Sequence, residues 1–599
     1  MKIKTSTWLA TGVLLATVAL SACAPKQSAT ELANETYEAL FMESLKTSPE
    51  YMTYLGMRER YDEWDDSSEQ AFEDSVALSK KHLELLNDID AEDLDKQTAL
   101  SLTLYKQRLE NGLSDIKWRY HGYPVNQMFG THSSIPSFLI NQHLIANAEE
   151  AKAYIARVKA VPEVIDDLIA DLNLRADMGI IAPKFVFAHS IRDSQNIIVG
   201  IGAESDEENP LVADFKAKLD KLQLDESVEQ ALVTELNSAL LMQFAPAYSN
   251  LIATLEQLDK RAEGNFGAWK LPDGAAYYSN ALKRITTTDL SADEIHELGL
   301  SEVERIHNEM RAIMQQVEFE GELQDFFDFM RTDPQFYLPN SDEGRAAYMA
   351  EADRLIANMK TRLDELFYTK PKADLIVKAV EPFREKSAGR AFYQRAAPDG
   401  SRPGTYYANL YRMEDMPTYD LEALAYHEGI PGHHMQGSIS QEQETLPKFR
   451  RYGGYTAYSE GWGLYSEFIP KEMGLYADPY SDFGRLSMEL WRACRLVVDT
   501  GVHHKRWSRE QAIAYLNDNT SSSEEANIKA IERYMVMPGQ ATAYKVGMLK
   551  ILALREKARA ELGDKFDIRG YHDVVLANGA VPLNVLENLV DEWVLKTKG

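Results

Sequence analysis

Tyr426-His427-Glu428-Gly429-Ile430-Pro431-Gly432-His433-His434 sets a His-Glu pair a short step ahead of a His-His pair. Those are the side chains of a hydrolytic zinc site. Neutral imidazoles bind zinc, and a glutamate beside the first ligand can take a proton from water activated at the metal. A helical H-E-x-x-H puts its two histidines on one face, one turn apart. Here the next histidines come six and seven positions after His427. On an unbroken helix six residues give ~9 Å of rise and about a third of a turn of rotation, so two such rings miss a common ion. His434 returns to the right face, but ~10.5 Å along the axis. Gly429, Ile430, Pro431 and Gly432 lie between, and proline and glycine are the residues that break a helix. The expectation is a bulge that absorbs two extra residues and swings Gly432-His433 back towards His427. The plainer alternative is a helix that stops at Pro431 with surface histidines beyond it.

Downstream, Tyr458-Ser459-Glu460-Gly461-Trp462-Gly463-Leu464-Tyr465-Ser466-Glu467 carries two glutamates seven apart. On a helix they share a face, two turns from each other. One can be a third ligand while the other hydrogen-bonds a ligating histidine from behind. Solvated carboxylates on an amphipathic helix are the commoner fate of glutamate. Trp462, Leu464, Tyr465 and Phe468 surround the pair and leave little room for a polar face.

These two stretches, with Asp499-Thr500-Gly501-Val502-His503 and Pro538-Gly539-Gln540 to Tyr544, resemble the bacterial lipoprotein family of domain of unknown function 885. That family is similar to the neurolysin and angiotensin-converting-enzyme group of metallopeptidases. In those relatives the zinc motif is H-E-x-G-H, with a ligand glutamate about two dozen residues later and another seven positions on. The resemblance implies His427, His433 and Glu460 as zinc ligands, Glu428 as general base, and Glu467 hydrogen-bonding a ligand. The two-residue insertion is the departure from the pattern, and it leaves His433 and His434 as competing ligands. The resemblance also implies a mainly α, two-lobed body around a deep cleft, and short peptides as substrates. It covers the C-terminal half convincingly and the N-terminal half by helical character.

The chain of 599 residues is long enough for a large core and more than one domain. Residues 1–22 read as a lipoprotein signal peptide: Lys2 and Lys4, an apolar stretch over 8–20, then Leu20-Ser21-Ala22-Cys23. Lipid on Cys23 is expected to anchor the mature protein, and Ala24 after it favours the outer membrane, facing the periplasm. Cys23 and Cys494 are the two cysteines, so no internal disulfide or cysteine metal site is expected. A net charge of -29 argues against nucleic-acid binding, which calls for a basic face.

Residues 23–263 read as an N-terminal helical lobe, with helices over 31–45, 69–86, 102–113, 148–172 and 228–258. Pro162 and Pro246 are expected to kink or split the last two. Gly264, Gly267, Pro272 and Gly274 mark a connection, and 264–599 forms the second lobe with the zinc site. Ser291 and Glu294 have capping-box spacing and open a helix to about Val317. A further helix is expected over 343–366. Residues 402–410 suggest a strand. As an edge near the metal helix it would hold an extended peptide through its main chain at Tyr406, or it would only pack.

A peptidase also needs a donor for the oxyanion on the attacked carbonyl. Tyr544 is the first candidate, by resemblance to late-chain tyrosines of the relatives, and His503 the second. Arg533 and Tyr534 are candidates for binding a peptide carboxylate or carbonyl. No phosphate loop, dinucleotide fingerprint or serine elbow is evident. The leading expectation is a lipid-anchored zinc peptidase acting on short peptides. Its rival is a non-catalytic helical lipoprotein that binds peptides or an envelope partner, and a zinc hydrolase of another amide is a weaker third. Glu428 discriminates, since a binding module has no use for a base beside a ligand.

Overall fold

A computed structural model describes residues 28–202, 208–264, 266–380, 385, 389–396 and 403–599. The signal peptide and Cys23 lie outside the described residues. The fold is mainly α, with one small sheet. Helix starts follow local chemistry. Ser28 and Glu31 form a reciprocal capping box at the head of Ala29–Leu45, and Ser291 with Glu294 does the same for Ala292–Gln316. The two proline sites behave differently from each other. Ala148–Asp177 runs through Pro162 unbroken. Before Pro246 the chain relaxes into a π turn, Leu240–Phe244, that joins Glu226–Ala239 to Ala245–Arg261. A wider turn removes the clash between a proline ring and the carbonyl one turn back.

Three apolar cores hold the helices together, and they do not divide simply at the glycine-rich connection. One is built mainly from the N-terminal helices, from Trp64 to Leu258, and takes in Val536 from the C-terminal part. A second packs Val303 to Met330 on Phe483 to Val502 and Ile513 to Ala541. The third draws on both ends of the chain, burying Tyr37, Phe41 and Tyr105 with Trp462, Tyr465 and Val590. The first helices thus share a core with the metal-motif region, which keeps them close to it.

Two glycine contacts fix how closely the central helices approach. A methyl group on Gly547 would lie 1.9 Å from the carbonyl oxygen of Ala457, so Thr456–Glu472 and Ala543–Leu562 meet backbone to backbone. Gly299 likewise lets Ala292–Gln316 press on Pro479–His503, where a side chain would meet Val497 and Leu496 within 3 Å. Charge supplements this packing. The fully buried Lys545 ammonium lies 2.5 Å from Glu489 and 2.8 Å from Glu302. Arg305 bonds both glutamates, and Arg485 bonds Glu489 and Asp482. This cluster ties three long helices together.

The sheet corrects one expectation. Strands β1 (Leu375–Ala379), β2 (Ala391–Gln394) and β3 (Gly404–Ala408) run in the order β1-β3-β2, with β1 parallel and β2 antiparallel to β3. The strand read at 402–410 is therefore the central one, not an edge. Both flanks of β3 are already paired, and Tyr406 is wholly buried. Neither its main chain nor its side chain is available to a peptide.

Candidate metal centre

The histidine segment is a break between two helices rather than a bulge inside one. Thr418–Glu428 stops, a four-residue turn follows, and His433–Glu442 begins. Gly432 is required there: its amide donates to the Tyr426 carbonyl at 2.9 Å, and an added Cβ would lie 2.0 Å from the His427 carbonyl oxygen. The Trp462 indole N–H donates to the Pro431 carbonyl at 2.8 Å, tying the turn to the helix that carries both glutamates.

The turn returns His433 to His427, with ring centres 4.6 Å apart and nearly perpendicular. Glu460 Oε2 lies 3.8 Å from His427 Nε2 and 3.5 Å from His433 Nε2. One atom from each of the three falls within 4.8 Å of the others. Bonds of 2.0–2.2 Å to a tetrahedral zinc put donor atoms about 3.3–3.5 Å apart, so this set fits such an ion with one position left open. Behind it, His427 Nδ1 sits 2.7 Å from Glu467 Oε1. With the ring N–H given to that oxygen, Nε2 keeps its lone pair for the centre.

Electrostatics favour a cation here. Burial, then the neighbouring His433, push His427 down to about 3, so its ring is neutral at working pH. Burial opposes charge on Glu460, but the His433 hydrogen bond and the charges of His433, His427 and Arg492 hold it down at about 2. Burial also works against a charged His433, and Glu460 outweighs it and raises its pKa. Glu467 is pushed up to about 8 by burial, and its Oε2 is buried without a partner.

His434 points elsewhere. Its Nε2 donates to the Ala373 carbonyl and its Nδ1 accepts from the Tyr393 hydroxyl, both at 3.1 Å. Gly404 lets β3 press against that ring. Glu428, 7 % exposed, ends the first helix beside His427 and has no hydrogen-bond or ion-pair partner among the described residues. A free carboxylate beside a cation site is what a proton acceptor requires.

The remaining candidates separate. Tyr544 is nearly buried, with the Arg495 guanidinium 4.6 Å from its ring centre, and its hydroxyl has no partner among the described residues. His503 is corrected: the Ala268 amide donates to its Nδ1 and its Nε2 donates to the Tyr534 carbonyl, both at 2.9 Å. No ring nitrogen remains for a substrate, and burial keeps the ring neutral by pushing it down to about 4. Tyr534 is buried and its hydroxyl accepts from Arg495 Nε at 2.9 Å, so it orients that arginine and is not open to a peptide. Arg533 donates to Gln540 at 3.2 Å.

Arg492 and Arg495 were not singled out by sequence. Burial works against the Arg495 charge, but Tyr534, Tyr544 and Glu460 outweigh it, which brings that arginine to both the oxyanion candidate and a ligand. Arg492 lies 4.0 Å from Glu467. A signal existed. The run Leu490 to Val498 is apolar except for two arginines three apart, on one helix face.

Gly463 offers a test of the packing. A Cβ there would lie 2.8 Å from His427 Cε1 and 3.0 Å from its Nε2. Alanine raises helix propensity by about 1 kcal/mol, so Gly463→Ala should not weaken the helix itself. It should push the ring off position and lower metal affinity about 10- to 100-fold, the usual cost of disturbing a ligand's support. Chelator competition measures this, and unchanged affinity would show the ring is not held by that contact.

Comparison with known proteins identifies the family and the fold. The profile described as bacterial protein of unknown function (DUF885) matches residues 49–590. The crystal structure of a candidate lipoprotein from Colwellia psychrerythraea is 33 % identical, covers 95 % of this chain and 100 % of its own, and superposes with a TM-score of 0.89. A candidate lipoprotein of unknown function from Shewanella oneidensis shares the fold at 18 % identity and a TM-score of 0.71, over 93 % of this chain and 99 % of its own. No curated protein matches the chain.

Proposed function

The chain belongs to the DUF885 family of bacterial proteins, and from its site we propose that it is a zinc-dependent peptidase acting on short peptides. The observation that carries the reading is the convergence of His427, His433 and Glu460 beside an unpartnered Glu428. His427, His433 and Glu460 would hold a zinc ion, which would supply Lewis acidity towards a carbonyl and a water. Glu428 accepts the proton of the attacking water on its carboxylate and later returns it to the leaving amine. Tyr544 donates its hydroxyl proton in a hydrogen bond to the developing oxyanion, with Arg495 adding positive charge behind the ring. Glu467 keeps the His427 ring in one tautomer and one orientation. A purely binding lipoprotein leaves the free Glu428 unexplained.

Lipid on Cys23 is part of the same proposal, supported by the sequence before it and by the lipoprotein description of the relatives. Such an anchor places the enzyme at the envelope, on the periplasmic face of the outer membrane. No helix among the described residues is long and apolar enough to cross a membrane. One preparation tests these points together. Protein extracted from membranes should carry about one zinc per chain, show the mass of a lipidated Cys23 terminus, and cleave a mixed short-peptide library. A metal-loaded protein that cleaves nothing rules the peptidase out, and a mature mass without lipid rules out the anchor.

A further inference from the structure

A cavity of about 370 Å³ opens between the N-terminal helices and the loop leading into the helix that carries Glu460. That volume suits a small ligand group with one apolar and one polar end. Phe41, Tyr51, Tyr452 and Tyr455 supply aromatic walls, and Arg108 and Arg450 supply two cations.

Both cations of this cavity lack a carboxylate partner among the described residues. The chain has 93 acidic against 64 basic side chains, and of the buried arginines among the described residues Arg485 and Arg555 are paired with carboxylates, whereas Arg157 and Arg450 bond only to neutral groups. Arg450 is 3 % exposed and has only neutral partners: Gln97 Oε1 at 3.1 Å, Ser101 Oγ at 3.0 Å, and the Gln97 and Asn578 carbonyls. Its Nε is buried without an acceptor. Arg108 is exposed at the rim and has no hydrogen bond or ion pair among the described residues. A buried guanidinium without an anion is costly, and a bound carboxylate would complete it.

The cavity and the metal centre are joined through one helix and one arginine. Tyr455 caps the helix that carries Glu460, five residues and ~7.5 Å of rise further on. Arg395 packs against Gly437, one turn after His433, and its charge reaches both His433 and the Tyr51 hydroxyl of the cavity.

We propose that this cavity binds the C-terminal carboxylate of a short peptide, together with an aromatic or large apolar terminal side chain. The proposal rests on the peptidase reading for its role in turnover. Arg108 and Arg450 bind the carboxylate and the tyrosine faces take the side chain, which selects peptides with a free C-terminus.

The test compares peptides ending in phenylalanine as the free acid and as the amide. Wild-type protein should favour the acid at least ~10-fold in kcat/KM, about the value of one charge-assisted hydrogen bond. Arg108→Ala, a surface change that should not disturb folding, should erase most of that preference through KM. In parallel, calorimetry follows binding of N-acetyl-phenylalanine and of its amide, which needs no catalysis. The acid should bind and the amide should not, with Arg108→Ala and Arg450→Gln each weakening the acid. Equal turnover of acid and amide, or no binding of the acid probe at millimolar concentration, overturns the proposal. Binding of the acid without hydrolysis of any peptide upholds the carboxylate site and removes the peptidase reading instead.

Discussion

Glu428→Gln should retain zinc and fold yet lose peptide hydrolysis by at least ~100-fold, the lower end for removal of a general base. The amide is nearly isosteric with the carboxylate but accepts no proton at neutral pH. Glu428 has no partner to lose among the described residues, so the change leaves no stranded charge or broken pair. That separates it from the ligands, whose loss would empty the site. Tyr544→Phe should cost less, about 10- to 1000-fold, because one oxyanion donor goes while metal and base remain. Its ring would still pack under Arg495. Library hydrolysis with zinc assayed on the same samples provides the measurement. Equal activity of Glu428→Gln and wild type would leave an enzyme whose base lies elsewhere.

The second large effect distinguishes two adjacent histidines. His433→Ala should abolish zinc binding, since its Nε2 is one of three atoms around the centre. His434→Ala should keep zinc, because both ring nitrogens are engaged with Ala373 and Tyr393 on the far side. Its cost should appear as stability instead. The part-buried Ala373 carbonyl loses its donor, which costs about 1 kcal/mol, the lower end for an unmet acceptor. Metal analysis and thermal melting of both variants decide the matter. Zinc lost from His434→Ala and kept by His433→Ala would reverse the ligand choice.

Much of this was legible in sequence because it was local. The Ser291 and Glu294 cap, the helical periods and the seven-residue interval from Glu460 to Glu467 each depend on spacing along one element. Features set by other segments were not legible. The place of Tyr406 in the sheet depends on β1 and β2, five and four residues long and too short to announce themselves. His503 looked like a catalytic residue until the Ala268 amide and Tyr534 carbonyl, from distant parts of the chain, closed over its ring. The insertion between His427 and His433 signalled a break, but whether it was a bulge or a turn between two helices depended on the Trp462 bond to Pro431.

The interior cluster of Lys545, Glu489, Glu302 and Arg485, with the part-exposed Arg305 at its edge, constrains the order in which this protein can change over evolutionary time. Removing one partner strands a charge in the interior at about 3–5 kcal/mol, a large share of the ~5–15 kcal/mol by which a domain is stable. Replacing the whole set with well-packed apolar residues is near neutral or favourable. The two end states are therefore separated by intermediates that fold poorly, and drift at these positions proceeds only in matched steps. Descendants of one ancestor should keep the set intact or lack it altogether, and a chain with half of it should carry a compensating change nearby.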